Sequence, residues 1–291
     1  MEKEKTSHFW QAHEEVPSVN AEELFDIGPL TVANSTMFTF LSIFLFLILV
    51  SYVSKFKLIP NAFQHLVEMF YQALLGLITQ IVGDRDHAEK ILPIVGAIFT
   101  YIILSNLLMM IPGLSSFTYN VSHIENGVKV VESRPLFRGG TADFNTTFGL
   151  ALASVFVIQI IAIRNRGIWG HISHFIQIDS ILQAFIRSKN NKKENKKTLI
   201  QRLGLFGTGL IHLMVGLIEI VGEIAKVISL SLRLFGNMFA HEILTIIIMG
   251  SFAIAIPVLW MGMGLIVGIV QAIVFTSLIT VYYSLVSKEK H

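Results

Sequence analysis

The stretch Ile228–Leu244, "ISLSLRLFGNMFAHEIL", sets Arg233 within a long apolar run, and this run determines how the chain folds. Upstream the sequence reads "LIEIVGEIAKV", with two glutamates and one lysine, and downstream it is apolar again as far as Trp260. A charged residue at the centre of a membrane costs about 2.5–3.5 kcal/mol on insertion scales. The insertion cost of the Arg233 cation therefore has to be offset by water or by a partner of opposite charge, and its retention indicates a function.

The composition is that of an integral membrane protein. Of the 291 residues, 53% are hydrophobic and 14% are charged, whereas about 25% of a soluble domain is charged. The net charge of +2 gives no reason to expect nucleic acid as a partner. Cysteine is absent, which excludes disulfides and thiolate metal sites, and we predict neither a metal nor a cofactor. The polar N-terminus lacks the apolar core of a signal peptide.

Five segments are long and apolar enough to cross a bilayer, which takes about 20 residues of helix. The fourth is too long for one upright crossing, so the last two helices are expected to be long and tilted. The predicted spans are 36–56, 91–112, 141–163, 203–252 and 258–286.

Residues Asn61–Val82 have apolar positions at helical spacing with polar interruptions, which predicts an amphipathic helix at the membrane surface. The predicted fold is thus an all-α, polytopic membrane protein. Residues 36–291 are expected to form a single membrane domain, preceded by an N-terminal extracytoplasmic segment at 1–35.

Basic residues give the orientation, because they concentrate in cytoplasmic loops. The loop at 164–202 carries nine lysines and arginines and is expected to be cytoplasmic. The N-terminal segment is acidic and is expected outside, and the C-terminal tail "SKEKH" is basic. An odd number of crossings, five, places the acidic N-terminus outside and the basic C-terminus in the cytoplasm. The loop at 113–140 has mixed charge and does not decide the question.

The polar residues of the fourth span share one side of a helix. At about 100° per residue they occupy an arc roughly 80° wide, from which Glu242 points away. A stripe about 33 Å long could border a hydrated path across the membrane. Acids and histidines relay protons, whereas an arginine holds its proton too tightly to do so. The stripe consists of His212, Glu219, Glu223, Lys226, Arg233, Asn237 and His241.

The motif "SLSLRLFGNMFAHEIL" resembles the signature of subunit a of F-type ATP synthases. The last span, with its glutamine and tyrosines, is similar to that family's closing helix. "SNLLMMIPG" and "TADFNTTFGLALA" resemble its second and third spans. The resemblance extends from about Met37 to the C-terminus and is most specific at Arg-Leu-Phe-Gly-Asn.

This resemblance implies a proton-conducting stator subunit in the bacterial plasma membrane. Such a subunit forms two half-channels against a rotating c-subunit ring and couples proton flow to rotation for ATP synthesis. The implied partners are the c ring, the b subunits of the peripheral stalk, the rest of the complex and the lipid bilayer. The sequence has no Walker A loop, so the chain is not expected to be an enzyme by itself.

Residue by residue, Arg233 matches the family's essential arginine, which lies between the two half-channels. The other candidate residues for proton translocation are Glu219, Glu223, Asn237, His241, Glu242, Gln271, Asp143, Asn145 and Asn106.

The spacing of residues on the last two helices predicts a contact between His241 and the start of the last helix. If they pair antiparallel with Arg233 opposite Gln271, then His241 faces Met263 and Gly264, and the glycine leaves room for the imidazole. Many relatives have a small residue in place of this histidine, and some have a histidine or an acid in place of the glycine. The titratable group thus lies on the fourth span in this chain and on the last span in some relatives. Whether His241 or Glu242 carries the proton in the outer half-channel is open.

Four further residues are expected to contribute to helix packing, a channel lining or membrane anchoring. Asn106 either forms a hydrogen bond between helices or lines a channel, and Trp260 is expected to anchor the chain at the membrane interface. Gly264 and Gly268 form a GxxxG pattern, which indicates close helix packing.

Two other functions compete with the stator subunit. A stand-alone ion transporter or channel predicts inverted repeats or broken helices in two halves, and neither is visible in the sequence. A membrane scaffold with paired charges does not account for a stripe of polar groups along a whole span.

Overall fold

The computed structural model of the chain describes residues 21–27, 30–53, 61–111, 114, 117–125, 128–176, 198–251 and 255–288. These residues form six α-helices, a short 3-10 helix at Gly140–Ala142 and two antiparallel hairpins, which confirms the predicted all-α, polytopic fold. The lysine-rich part of the predicted cytoplasmic loop and the first 20 residues lie outside the described ranges. The helices are α1 Asn34–Val53, α2 Ala62–Val82, α3 Arg85–Met109, α4 Phe144–Ile176, α5 Thr198–Ser251 and α6 Ala255–Lys288.

Apolar surface identifies these helices as membrane elements. In α1, Phe40 and Phe44 are more than half exposed, at 63% and 61%, although a water-soluble helix would bury such a face. Five of the described helices are long and apolar enough to cross a membrane: α1, α2, α3, Phe144–Arg164 of α4 and Ile256–Ser287 of α6.

Two helices differ from the predicted set of spans. Helix α2 was predicted to lie at the membrane surface, but its length and composition also allow it to cross. Helix α5, with 54 residues, is not one of the five, so its crossing stays a prediction from the sequence.

The chain divides into two compact units. The first contains the described parts of Met1–Leu74, Pro93–Thr147 and Leu232–Thr276. Its core holds the fully buried side chains of Phe38, Ile102, Leu234, Met238 and Phe275.

The start of α4 in the first unit is fixed by its N-cap. Asp143 precedes the helix, and its carboxylate accepts hydrogen bonds from the backbone N–H groups of Asn145 and Thr146 at 3.4 and 3.2 Å. A cap of this kind satisfies donors that have no partner within the helix. Helix α4 therefore begins at Phe144, three residues later than the predicted span.

The second unit contains Leu75–Leu92, Phe148–Ser231 and Ser277–His291. Its core includes the buried side chains of Ile78 and Ile158. Within α4 the helical backbone is interrupted at Gly167, which has a φ of 77°. Glycine adopts this left-handed conformation without steric cost, so the regular part of α4 ends close to the predicted end of the third span.

The two hairpins belong to segments for which we predicted no regular structure. Strand β1, Glu23–Ile27, pairs with β2, Leu30–Ala33, directly before α1. Strand β3, Thr118–Glu125, pairs with β4, Val128–Pro135, within the segment between α3 and α4. These strands are short additions to a helical protein and do not alter its fold class.

Candidate functional site

Arg233 lies on the exposed side of α5. Leu230 and Leu234 are fully buried and lie about 60° and 100° around the helix axis from Arg233, so the guanidinium projects beside the buried face and not from it. Among the residues that the structure describes, none forms a hydrogen bond or an ion pair with Arg233. A guanidinium within an apolar helix is stabilised by water, by lipid headgroups or by a group of opposite charge.

Small residues surround Arg233 on the same face of the helix. Gly236 and Ala240 are exposed, and a Cβ atom added to the glycine would meet no atom within 4 Å. Small residues allow another helix to approach closely in a membrane. The face around Arg233 therefore has room for a second helix.

One turn further along α5, Asn237 is held by an amide pair with α6. Its Nδ2 donates to Oε1 of Gln271 at 2.7 Å, and the glutamine side chain is buried. The Nε2 atom of Gln271 is also buried and has no acceptor among the described residues. Buried amide nitrogens nearly always have a partner, which is often water.

His241 is enclosed between two residues of α6. Its ring stacks on Trp260, with 5.4 Å between the ring centroids and 16° between the planes. A Cβ atom added to Gly264 would overlap the imidazole. The predicted contact between His241 and Gly264 is therefore present, and the two helices are antiparallel in this part of the first unit. Gln271, which was predicted to lie opposite Arg233, is bonded to Asn237, one turn further along α5.

Two hydrogen bonds fix the tryptophan against α5. Its Nε1 donates to Oγ1 of Thr245 at 3.0 Å, and that hydroxyl donates to the backbone oxygen of His241 at 2.7 Å. Trp260 was predicted only as an interfacial anchor. The structure also gives it a specific contact with the imidazole.

Glu242 has a different partner. Nε of Arg138 donates to Oε1 and Oε2 at 3.2 and 3.3 Å, and Nη2 donates to Oε2 at 3.3 Å. The two side chains are 3% and 15% exposed. We had assigned no role to Arg138, which lies in the segment of mixed charge between α3 and α4.

Asn106 connects α3 with two other segments. Its Nδ2 donates to the backbone oxygen of Gly268 at 3.1 Å, and its Oδ1 accepts from Oγ1 of Thr141 at 2.8 Å. A Cβ atom added to Gly268 would lie 3.1 Å from Cβ of Asn106. Of the two interpretations of Asn106, the interhelical hydrogen bond is therefore present, and both glycines of the GxxxG pattern serve packing.

Two candidates lie at the start of α4. Asp143 is buried and accepts hydrogen bonds from Oγ of Ser35 at 3.1 Å and Oγ1 of Thr146 at 2.9 Å, in addition to its capping bonds. Asn145 is exposed. The carboxylate of Asp143 thus has a clear structural role, whereas the side chain of Asn145 is free to contact solvent or lipid.

The remaining candidates belong to the second unit. Lys226 forms an ion pair with Glu223, and its Nζ lies 5.0 Å from the ring centroid of Tyr282. Glu219, one turn before Glu223, is partly exposed. The structure does not describe the side chain of His212, which was part of the predicted stripe.

Comparison of the sequence with known protein families identifies the family of this chain. The ATP synthase A chain family matches residues 35–284. The chain belongs to the ATP synthase A chain family. Its match extends over every candidate residue, together with Arg138 and Trp260, so the contacts described above all fall within the part of the chain that the family shares. The chain is accordingly a multi-pass membrane protein.

Individual relatives are distant but similar over most of their length. ATP synthase subunit a of Moorella thermoacetica is 27% identical over 266 residues, which are 91% of this chain and 95% of the relative. The protein of the same name from Desulforamulus reducens is 30% identical over 233 residues, or 77% and 67% of the two chains. That of a Geobacter species is 26% identical over 251 residues, or 86% of each chain.

The contact between His241 and Gly264 predicts a dependence of one position on the other. Gly264→Ala is expected to lower the free energy of unfolding by about 1–3 kcal/mol, because the added methyl group displaces the ring. The loss should largely disappear when His241→Ala is also present. Thermal unfolding of the four chains in detergent measures this coupling.

Gly262→Ala is the matched control, since a Cβ atom at Gly262 would meet nothing within 4 Å. It is expected to change stability by less than about 0.5 kcal/mol. An equal loss from Gly264→Ala with and without the histidine would show that the imidazole is not the obstacle.

Proposed function

We propose that the chain is the proton-conducting stator subunit of the ATP synthase membrane sector. In this role it forms two half-channels against a rotating c ring and couples proton flow to the rotation that drives ATP synthesis. Nucleotide chemistry belongs to other subunits, and the chain itself catalyses no reaction. Its partners are the c ring, the b subunits of the peripheral stalk, the rest of the complex and the surrounding lipid.

The proposal rests mainly on the exposure of Arg233 and on its bonding among the described residues. The side chain is exposed on α5 and has no bonded partner among the described residues, and small residues beside it leave space for another helix. A carboxylate on an approaching c-subunit helix is a partner of the right charge. The match of residues 35–284, which include Arg233, to the ATP synthase A chain family supports the same assignment.

Electrostatics explains what the guanidinium does to such a carboxylate. Two opposite charges about 4 Å apart attract each other by about 4 kcal/mol at an effective dielectric constant near 20. A protonated carboxyl group has no charge and loses this attraction. A c-subunit carboxyl group that reaches Arg233 therefore releases its proton to one half-channel and is protonated again from the other after it has passed.

The same charge prevents a short circuit. An arginine side chain holds its proton throughout the accessible pH range, so it cannot act as a relay between the half-channels. Its positive charge also repels a proton that moves directly from one to the other. Proton flow then requires the ring to turn, which is how a fixed charge couples transport to rotation.

The half-channels are assigned from the polar side chains of α5 and its neighbours. Glu219 and Glu223 border the cytoplasmic half-channel. The outer half-channel is bordered by residues of the first unit, in which the free Nε2 of Gln271 offers a hydrogen bond to water. These outer residues are Asn237, His241, Glu242, Gln271, Asp143, Asn145 and Asn106.

Orientation in the bacterial plasma membrane follows from the distribution of basic residues. The proposal has the N-terminus outside, the C-terminus in the cytoplasm and the loop at 164–202 on the cytoplasmic side. Under this orientation the C-terminal part of α5, with His241, points to the outside of the cell.

Arg233→Ala is expected to abolish ATP-driven proton pumping while the complex still assembles, because the charge that ionises the c-subunit carboxyl group is lost. Acidification of inverted membrane vesicles measures pumping, and immunoblotting measures assembly. Arg164→Ala removes an exposed arginine from α4 and should leave pumping unchanged. Normal pumping by the Arg233→Ala complex rules out the proposed function.

His241→Gly is expected to impair proton pumping, since it removes a titratable group from the outer half-channel. Gly264→His added to this variant should restore part of the activity, because the two positions face each other across α5 and α6. Pumping rates of both variants in vesicles with equal amounts of complex provide the comparison. If the double variant pumps no better than His241→Gly alone, the imidazole has no role that can be supplied from α6.

A further inference from the structure

The imidazole of His241 contacts α6 at two positions, which are one turn of that helix apart. A Cβ atom added to Gly264 would overlap the ring, and the indole of Trp260 is stacked on it with 5.4 Å between the centroids. Residues four apart lie on the same side of a helix. The glycine and the tryptophan therefore face α5 together and confine the imidazole between them.

The tryptophan is itself fixed to α5 by hydrogen bonds. Its Nε1 donates to Oγ1 of Thr245 at 3.0 Å, and the same hydroxyl donates to the backbone oxygen of His241 at 2.7 Å. The indole N–H is the only polar group of a tryptophan side chain, and here it has an acceptor. The hydrogen bonds thus connect Trp260 to the residue on which its ring is stacked.

This contact orients the imidazole without a hydrogen bond to either of its nitrogen atoms. Within the part of the chain that the structure describes, neither ring nitrogen of His241 has a hydrogen-bond partner. A bond to one nitrogen would fix the tautomer and occupy a position at which a proton can bind. Stacking instead uses the faces of the two rings, so it does not compete with proton binding at the nitrogens.

The stack with Trp260 is also compatible with both protonation states of His241. A neutral imidazole is held by aromatic stacking, for which centroid distances of about 4.5–7 Å are usual. An imidazolium is a cation, and the face of an indole attracts cations within about 6 Å. Positions 255–287 of α6 contain no charged residue, and Glu242, which follows His241 on α5, is bonded to Arg138. The imidazole therefore keeps the same neighbour when it gains or loses a proton.

We propose that Trp260 is a positioning residue that holds the imidazole of His241 in the place from which it exchanges protons in the outer half-channel. The inference rests on the proposed function, because it requires His241 to exchange protons there. Proton transfer needs donor and acceptor within hydrogen-bond distance, directly or through one water. A ring that turns freely about its side-chain bonds is at that distance for only part of the time. Trp260 removes this freedom, and Thr245 fixes the tryptophan.

A tryptophan that only anchors the chain at the membrane interface, or only fills space between helices, predicts a different result. Its replacement would harm the complex to the same extent whether or not a histidine is present at position 241. A positioning residue acts through the imidazole, so its replacement has no effect once the imidazole is gone. The dependence of Trp260 on His241 therefore separates the two roles.

The test compares Trp260→Leu and Trp260→Phe, each alone and combined with His241→Gly, in the assembled complex. ATP-driven acidification of inverted vesicles is normalised to the amount of complex. Trp260→Leu has no ring and is expected to lower pumping about tenfold, because small displacements of a reacting group are costly. Trp260→Phe keeps a ring that can stack and should pump within about threefold of the unchanged chain. Neither substitution should lower pumping further in the His241→Gly chain.

Phe40→Leu is the matched control, because it also replaces an aromatic side chain by leucine, at a position of α1 that is 63% exposed. It should leave pumping unchanged. Thr245→Val removes the hydroxyl that holds the indole of Trp260. It is expected to lower pumping about threefold, the size of effect that one hydrogen bond has, and only when His241 is present.

A second measurement reports the position of the imidazole without any pumping. Diethylpyrocarbonate reacts with unprotonated nitrogen atoms of histidine side chains, and mass spectrometry of the peptide that contains His241 gives the reaction rate in the purified complex. Trp260→Leu should raise this rate about threefold, since the loss of a stacked ring favours other orientations by a factor of this size. Thr245→Val should also raise it, whereas Phe40→Leu should not.

Two results would overturn the inference. If Trp260→Leu pumps as well as the unchanged chain at equal assembly, the tryptophan does not position the imidazole. If it lowers pumping by the same factor with and without His241, the tryptophan acts as an anchor or in packing alone.

The reaction rate at His241 decides the remaining cases. Should His241→Gly pump too little for a comparison, an unchanged rate in Trp260→Leu would contradict the inference. Should Trp260→Leu fail to assemble, an unchanged rate in Thr245→Val would do so. This rate does not depend on the coupling of proton flow to rotation, which Arg233→Ala tests, so failure of the proposed function and failure of the inference are distinguishable.

Discussion

The antiparallel pairing of α5 with α6 in the first unit is the constraint on which the candidate site depends. The amide pair between Asn237 and Gln271 and the contact between His241 and Gly264 occur along the same two helices. A change of one residue in this register would rotate each side chain by about 100°. The imidazole would lose the space above the glycine, and the polar groups of α5 would no longer meet those of α6.

Two arginines in the first unit show how a membrane protein can use the same side chain in opposite ways. Arg138 is buried, makes three hydrogen bonds to Glu242 and lies beside Phe239. Arg233 is exposed and has no bonded partner among the described residues. Because a buried charge is costly without compensation, the first is suited to a permanent structure. The second is available to a partner that comes and goes.

The sequence was sufficient to predict the helices and much of the register. Apolar runs of membrane length predicted α1, α3, α4 and α6 to within a few residues, apart from the six residues by which α3 starts earlier and the kinked end of α4. The antiparallel spacing, together with the room that a glycine leaves for an imidazole, predicted the contact between His241 and Gly264. These features follow from local composition and from the spacing of residues on two helices, both of which can be read directly from a sequence.

Features that depend on contacts distant in the sequence were missed. Arg138 and Glu242 are separated by 104 positions, and nothing in either segment indicates the other. The hairpin of β3 and β4 did have a local signal, because Asn126-Gly127 is flanked by alternating residues, a pattern typical of hairpins. Asp143 was assigned to the outer half-channel from the family resemblance, and its capping position before α4, which accounts for much of its bonding, was not predicted.

The most direct measurement is the distance from the guanidinium of Arg233 to the nearest carboxyl group of a neighbouring subunit in an experimental structure of the assembled complex. We predict a c-subunit carboxyl group within about 4–6 Å, the range over which an opposite charge favours ionisation. Arg233 facing lipid, with no carboxyl group of another chain within that range at any rotational position of the ring, would contradict the proposed role.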